Sequence, residues 1–296
     1  MLKRASSGDM VFYFFLYIFM FIISLLMLYP FLYIISMSFG ASANMGLSLL
    51  PKTPNLESYR RVLANVYIFN GFKATIVRVL LGTTLTIFFT ITTAYPLAKR
   101  YFPDRSFWTS LLVFTMFFSG GLIPSYLLVR NLGLYNTVWA LVLPGLISTY
   151  NMIIMRNFFM AIPAELEESA RIDGAGEFTI LFRIIVPVSG PIIATVVLWT
   201  MVGHWNAWFD SMIYISTATK QVLQQVLRRM VVEGELQVIE LNQLQAIQEV
   251  GVSGAMVTPE GVKAAAVMVA TIPIICVYPF LQKYFVKGVL VGSLKG

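Results

Sequence analysis

From Val11 to Phe39 the chain carries no charged side chain. Crossing the hydrocarbon layer of a bilayer takes about 20 apolar residues in a helix. A secretory leader has an apolar stretch of only about 7–15 residues before its cleavage site, so this run reads as a retained first span. Runs of spanning length lie at 11–37, 72–97, 107–129, 137–160, 186–209 and 264–285. In lipid each backbone N–H and C=O must be satisfied inside the segment, which leaves helices as the solution for runs this long. The expected fold is all-α, six transmembrane helices in one membrane domain over 1–296. Composition agrees: 12% of residues are charged, against about 25% in soluble domains.

The fourth run is interrupted by Asn151 and Arg156. Pro30, Pro96, Pro124, Pro144 and Pro273 lie in or beside spans, where neighbouring helices re-satisfy a kinked backbone. The net charge is +7. Its basic residues are scattered between apolar runs, which points to lipid headgroups and away from nucleic acid. Lys and Arg in short loops set orientation. Lys3 and Arg4 precede the first span, and Lys99, Arg100 and Arg105 separate the second from the third; Arg130 stands alone before the fourth. The expectation is a cytoplasmic N-terminus and a cytoplasmic tail with Lys283, Lys287 and Lys295, with 40–70 and 210–262 outside. Within the external loop 210–262, QVLQQVLRRMVVEGELQ and IELNQLQAIQEV have helical spacing and predict two short outer helices. Cys276, the only cysteine, allows no internal disulfide, and a packing role is expected.

The polar exception is the loop 161–190. The stretch PAELEESARIDGAGEFTILFRIIVPVSGP holds Glu165, Glu167, Glu168, Asp173 and Glu177, five of the fourteen acidic residues, with Arg171 and Arg183. Each charge at mid-membrane costs at least about 2.5–3.5 kcal/mol, so this segment belongs at the membrane surface. Pro163 suits the first turn of a helix whose dipole Glu165, Glu167 and Glu168 complement. Glu167 and Arg171, four apart, are expected to pair along an exposed face. Asp173-Gly174 signals a turn, and a second helix from about Gly176 carries Phe178, Phe182 and Ile185 toward Pro187. A helix lying on headgroups favours Lys and Arg, whereas this one is acidic in its first half; a protein partner is the preferred reading.

Glu168-Ser169-Ala170, then Asp173-Gly174-Ala175, then Phe182, Ile185, Pro187 and Pro191 resemble the EAA loop of bacterial ABC importer permeases, with Ser169 replacing the middle Ala. HWNAWFD (204–210) is similar to the outer end of the fifth span in the maltose-type carbohydrate permeases, and LQKYFVKGVLVGSLKG to their tail. The resemblance extends over most of the chain and is closest to the oligosaccharide branch. It implies a type I ABC importer permease fold with a coupling helix, in which Glu168, Ser169, Ala170, Asp173, Gly174 and Ala175 meet a groove of an ATPase. It also implies a bacterial cytoplasmic membrane location. The partners implied are a second homologous permease, two ATP-binding cassette subunits and an extracytoplasmic sugar-binding protein. The chain has no GxxxxGK[ST] phosphate loop. ATP and Mg are therefore expected in the partner ATPase, and this chain is expected to be no enzyme and to hold no cofactor or metal.

His204, Trp205, Asn206, Trp208 and Asp210 cluster at the end of the fifth apolar run. Trp at a span end is an ordinary headgroup anchor. The alternative is a sugar pathway, with rings stacking on apolar sugar faces while Asn206 and Asp210 bond hydroxyls. Helical spacing puts His204 and Trp208 on one face toward a cavity, and Trp205 elsewhere. Arg78 lies inside the second span. With Lys73 and the outer Arg130, Lys220 and Lys263 it suggests a basic vestibule suited to acidic, uronate-type oligosaccharides; lipid anchoring is the competing explanation. An ion-coupled carrier would use intramembrane Arg78 and His204, yet no internal symmetry accompanies them. A membrane-embedded enzyme would show a zinc motif or paired aspartates, and the chain shows neither.

Overall fold

The computed structural model describes residues 7–40, 54–233 and 258–293, all helix, turn or loop apart from one isolated bridge between Gly40 and Pro54. The chain divides into two compact units, one from Met1–Asn65 with Arg229–Thr271, the other from Val66–Arg228 with Ile272–Gly296.

The first unit holds α1 (Ser7–Ser38), α2 (Glu57–Ala64) and the start of α14 (Pro259–Ser293). Large apolar side chains on every face of α1, from Met10 to Leu32, are exposed. A helix apolar all round is suited to lipid or to other helices as its surroundings. At its end Ser38 is fully buried and shares a hydrogen bond of 2.7 Å with the Tyr59 hydroxyl, while the Phe39 ring lies 5.0 Å from that of Tyr59.

The second unit is built around α3 (Val66–Ala98). Its buried face runs Gly71, Thr75, Arg78, Gly82, Thr86, Thr90, Ala94 and Leu97, mostly small residues three or four apart. Small side chains let helix backbones approach closely where lipid supplies no hydrophobic drive. α7 (Thr149–Met160) and α11 (Gly190–Asn206) pack on this face, and Met152, Met155, Phe159, Ile180, Ile185 and Val196 fill the core between them.

The expected spans are met unevenly. Gly8–Ser38, Val66–Ala98 and Pro259–Val277 are long and apolar enough to cross a membrane. The run at 107–129 is two helices, α4 (Arg105–Phe117) and α5 (Leu122–Asn131), bent by 111° at Ser119-Gly120-Gly121. Gly121 takes φ +90°, which favours glycine. The run at 137–160 is no continuous span: α6 (Trp139–Val142) stops before Pro144 and Gly145, whose φ is +80°, and α7 has 12 residues. Proline lacks the N–H and clashes with the preceding turn, which kinks or breaks a helix, and here α6 ends before it. At roughly 18 Å, α7 is shorter than the hydrocarbon layer. The fifth run starts earlier than expected, as α9 (Glu177–Ile180), a π-turn over Leu181–Ile185 and α10 (Val186–Val188); it then bends 83° into α11. Beyond α11 come α12 (Phe209–Tyr214) and α13 (Leu223–Arg228), the latter continued by a π-turn to Glu233. α13 and its π-turn coincide with the described part of the first expected outer helix, at 221–237; the rest of that stretch and the second helix, at 239–250, lie outside the described residues, as does Lys295.

Candidate functional site

The acidic loop forms two short helices about a glycine turn: α8 (Glu165–Ile172) and α9. Pro163 falls just before α8 rather than in its first turn, and Ala164 is the N-cap. With no capping side chain, Glu165, Glu167 and Glu168 complement the positive helix end. The helix closes with Gly174 N donating to the Arg171 carbonyl (3.0 Å) and Ala175 N to the Ala170 carbonyl (2.9 Å). These are the two bonds of a Schellman cap, and Gly174 takes the φ of +81° that it needs.

Glu168, Ser169, Asp173 and Gly174 are exposed. Ala170 is not: it is 8% exposed and fills the core beside Ile180 and Leu181, and Ala175 packs against the same cluster. The expected pair of Glu167 and Arg171 is present at 3.9 Å, but its setting is corrected: Glu167 is buried and turns inward to a second ion pair with Lys99, just beyond α3. Arg171 also bonds Glu177 at 2.8 Å and the Tyr101 hydroxyl. The Tyr95 hydroxyl donates to the other Glu177 oxygen at 2.9 Å. Sequence reasoning missed Ile172, whose side chain is almost wholly exposed; Phe178, Glu165, Glu168 and Asp173 of the same loop are exposed as well.

The second cluster joins α3 to the end of α11. Arg78 is buried, and its guanidinium forms a two-pronged ion pair with Asp210, Nη1 reaching Oδ1 at 3.0 Å. Nη1 also donates to the Ala207 carbonyl at 3.2 Å, and Nε to His204 Nδ1 at 3.4 Å. His204 therefore accepts through Nδ1 and is held in a single orientation. Its ring rests on Gly82, where an added Cβ would meet Nε2 at 2.4 Å. Gly82 is a second residue that sequence reasoning missed.

Asn206 ends α11 and is exposed, outside this cluster. His204 and Trp208 do not share a helix face, because α11 stops at Asn206 and Ala207 is extended. Trp208 faces Arg228, whose guanidinium lies 4.1 Å from its ring. Trp205 packs elsewhere, against Phe72.

The Arg78 guanidinium is paired with Asp210 inside the protein and does not line the cleft that holds Lys73 and Lys220. Lys73 and Lys220 do come together. They line an open cleft of about 360 Å³ with Asn70, Asn136 and Thr137, and Arg130 is not among its walls. Asn136 adopts φ 61° and is pinned: its N–H donates to the Tyr214 carbonyl at 2.8 Å, and its amide exchanges bonds with Thr217. Lys220 Nζ donates to the Asn136 carbonyl at 3.4 Å, and Lys73 Nζ lies 4.4 Å from the Phe69 ring centre.

Comparison with known proteins gives a consistent answer. Protein LplC of Bacillus subtilis is 44% identical over 270 residues, 90% of this chain and 89% of its own length. The polygalacturonan/rhamnogalacturonan transport system permease protein YtcP of the same organism is 37% identical, over 97% and 98%. Among solved structures, the crystal structure of a bacterial ABC transporter involved in the import of the acidic polysaccharide alginate matches with a TM-score of 0.86 at 31% identity, covering 96% of this chain and 99% of that one. Residues 105–291 match the family described as the binding-protein-dependent transport system inner membrane component. With its apolar helices, its glycine-turned acidic loop and relatives aligned almost end to end, the chain belongs to that family of ABC transporter permeases.

Proposed function

We propose that this chain is one of two permease subunits of an ATP-driven importer for acidic, uronate-type oligosaccharides. The observation that carries the acidic reading is the cleft in which Lys73 and Lys220 stand together with the amides of Asn70 and Asn136. Neither lysine is in an ion pair among the described residues. Two ammonium groups attract carboxylates, and amide and hydroxyl groups suit sugar hydroxyls. The relatives named for polygalacturonan and alginate transport support the same class.

The partners in this reading are a second homologous permease, two ATP-binding cassette subunits and an extracytoplasmic sugar-binding protein. ATP and Mg belong to the cassette subunits, and this chain performs no hydrolysis. Both termini and the 161–190 loop face the cytoplasm, and 210–262 faces outside. Glu165, Glu168, Ser169 and Asp173, with Ile172 and Phe178, form the surface that an ATPase grips. ATP-driven closure must then favour one permease conformation by several kcal/mol to swing the equilibrium fully. The ion-coupled alternative drew on Arg78 and His204; Arg78 is bonded to both His204 and Asp210, which favours a scaffold role for the two.

The test is uptake by proteoliposomes holding the complete transporter. Lys73→Gln and Lys220→Gln should raise the KM for trigalacturonide several-fold and leave its neutral methyl ester unaffected. The difference should shrink as salt rises, because exposed charges are screened over about 8–10 Å at physiological ionic strength. Equal losses for both sugars would remove the cleft from substrate recognition.

A further inference from the structure

Where α3 ends, a set of charged and phenolic side chains ties three elements together. The Lys99–Glu167 pair is almost closed to solvent, the two side chains being 11% and 10% exposed, and the Lys99 ammonium also lies 4.3 Å from the Tyr95 ring centre. Glu177 takes the Tyr95 hydroxyl on one oxygen and Arg171 on the other, with the Tyr101 hydroxyl at 3.2 Å. Arg171 in turn lies over the Tyr101 ring, 5.0 Å from its centre. Beneath these groups Ala170 and Ile180 share one core with Ala94, Tyr95, Leu97 and Ala98 of α3. From α7, Arg156 Nε donates to the Leu97 carbonyl at 2.9 Å and holds the same end.

We propose that Lys99, Tyr95 and Tyr101 are positioning residues that fasten α8 and α9 to α3, so that the ATPase stroke on the loop moves α3 as one body. The inference rests on the reading of α8–α9 as the ATPase-docking loop. An exposed pair would let the loop slide, because such pairs contribute little. A nearly buried pair cannot part without leaving an uncompensated charge. α3 has 33 residues, so it reaches about 50 Å from this clamp. Its far half is also gripped: the Thr75 hydroxyl accepts Leu223 N at 2.9 Å, Gly71 meets the Leu223 backbone, and Arg78 holds Asp210. Lys73 of the cleft stands on that same half. Movement at the loop is thus delivered to the cleft through packed, hydrogen-bonded elements, which are the physical carriers of coupling between distant sites.

The experiment uses the complete transporter in proteoliposomes and reads two quantities: ATPase retained on purification, and sugar taken up per ATP hydrolysed. Lys99→Glu and Glu167→Lys should each retain the ATPase while lowering sugar per ATP tenfold or more. The double reversal should recover at least a third of the wild-type ratio. Tyr95→Phe with Tyr101→Phe removes only hydroxyls and should lower the ratio two- to fivefold; this variant decides the matter if a reversal fails to accumulate. A wild-type ratio in the reversals, or in the phenylalanine variant, overturns the proposal. A loss that the double reversal leaves unrepaired overturns it too and assigns the pair to folding. Failure of the docking reading is seen separately, as full ATPase retention when Ile172→Ser and Phe178→Ser are combined with the clamp intact.

Discussion

Arg78 is accommodated in the apolar part of α3 because Asp210 and the Ala207 carbonyl occupy its donors. Removing one partner of a buried pair leaves the other uncompensated, at about 3–5 kcal/mol, and the partial exposure of Asp210 places the cost at the lower end. Arg78→Gln should therefore lower thermal stability in detergent and reduce uptake of acidic and neutral sugars alike, with little salt dependence. Selective loss of acidic uptake would return Arg78 to the pathway. Gly82 makes a complementary point. Even alanine there would collide with the His204 ring, so Gly82→Ala should cost about 1–3 kcal/mol by overpacking. The penalty should shrink in a His204→Ala background, a coupling that a double-mutant cycle measures directly.

Among the elements, the acidic loop was the most readable from sequence, since its features are local. Gly174 at φ +81° follows from Asp-Gly after a short helix. A β-branched residue there is strained, so Gly174→Val should abolish most uptake in a normally expressed protein while sugar still binds the external protein. The clamp was illegible for the opposite reason: Lys99 and Glu167 are 68 residues apart, and Tyr95 and Glu177 are 82 apart. No helical spacing relates them. Ala170 was misplaced because α8 turns Glu167 and Ala170, three apart, toward the core, and a charged residue at the first of these hides that face. The break in the fourth run was signalled by Pro144-Gly145, but apolar length outweighed it; the end of α11 had no such marker.

For the whole molecule, the orientation proposed from short-loop charges has a direct check. With Cys276 replaced, cysteine at Ser253, which lies outside the described residues, should react with an impermeant thiol reagent from outside; cysteine at Ser169 should react only after the membrane is opened. The reverse pattern would put the docking loop on the wrong side. The Arg78–Asp210 pair also has a consequence for synthesis. The two residues are 132 positions apart, and chains grow at about 5–20 residues per second, so the arginine waits roughly 7–26 s for its counter-ion. During that interval α3 must enter the bilayer carrying a cation whose insertion costs about 2.5–3.5 kcal/mol, supported only by its own apolar length. Ribosome-bound chains halted before Asp210 should show α3 loosely held and easily cleaved by membrane proteases, and chains halted well beyond it should not. Maturation of this permease is then timed by the arrival of a single aspartate.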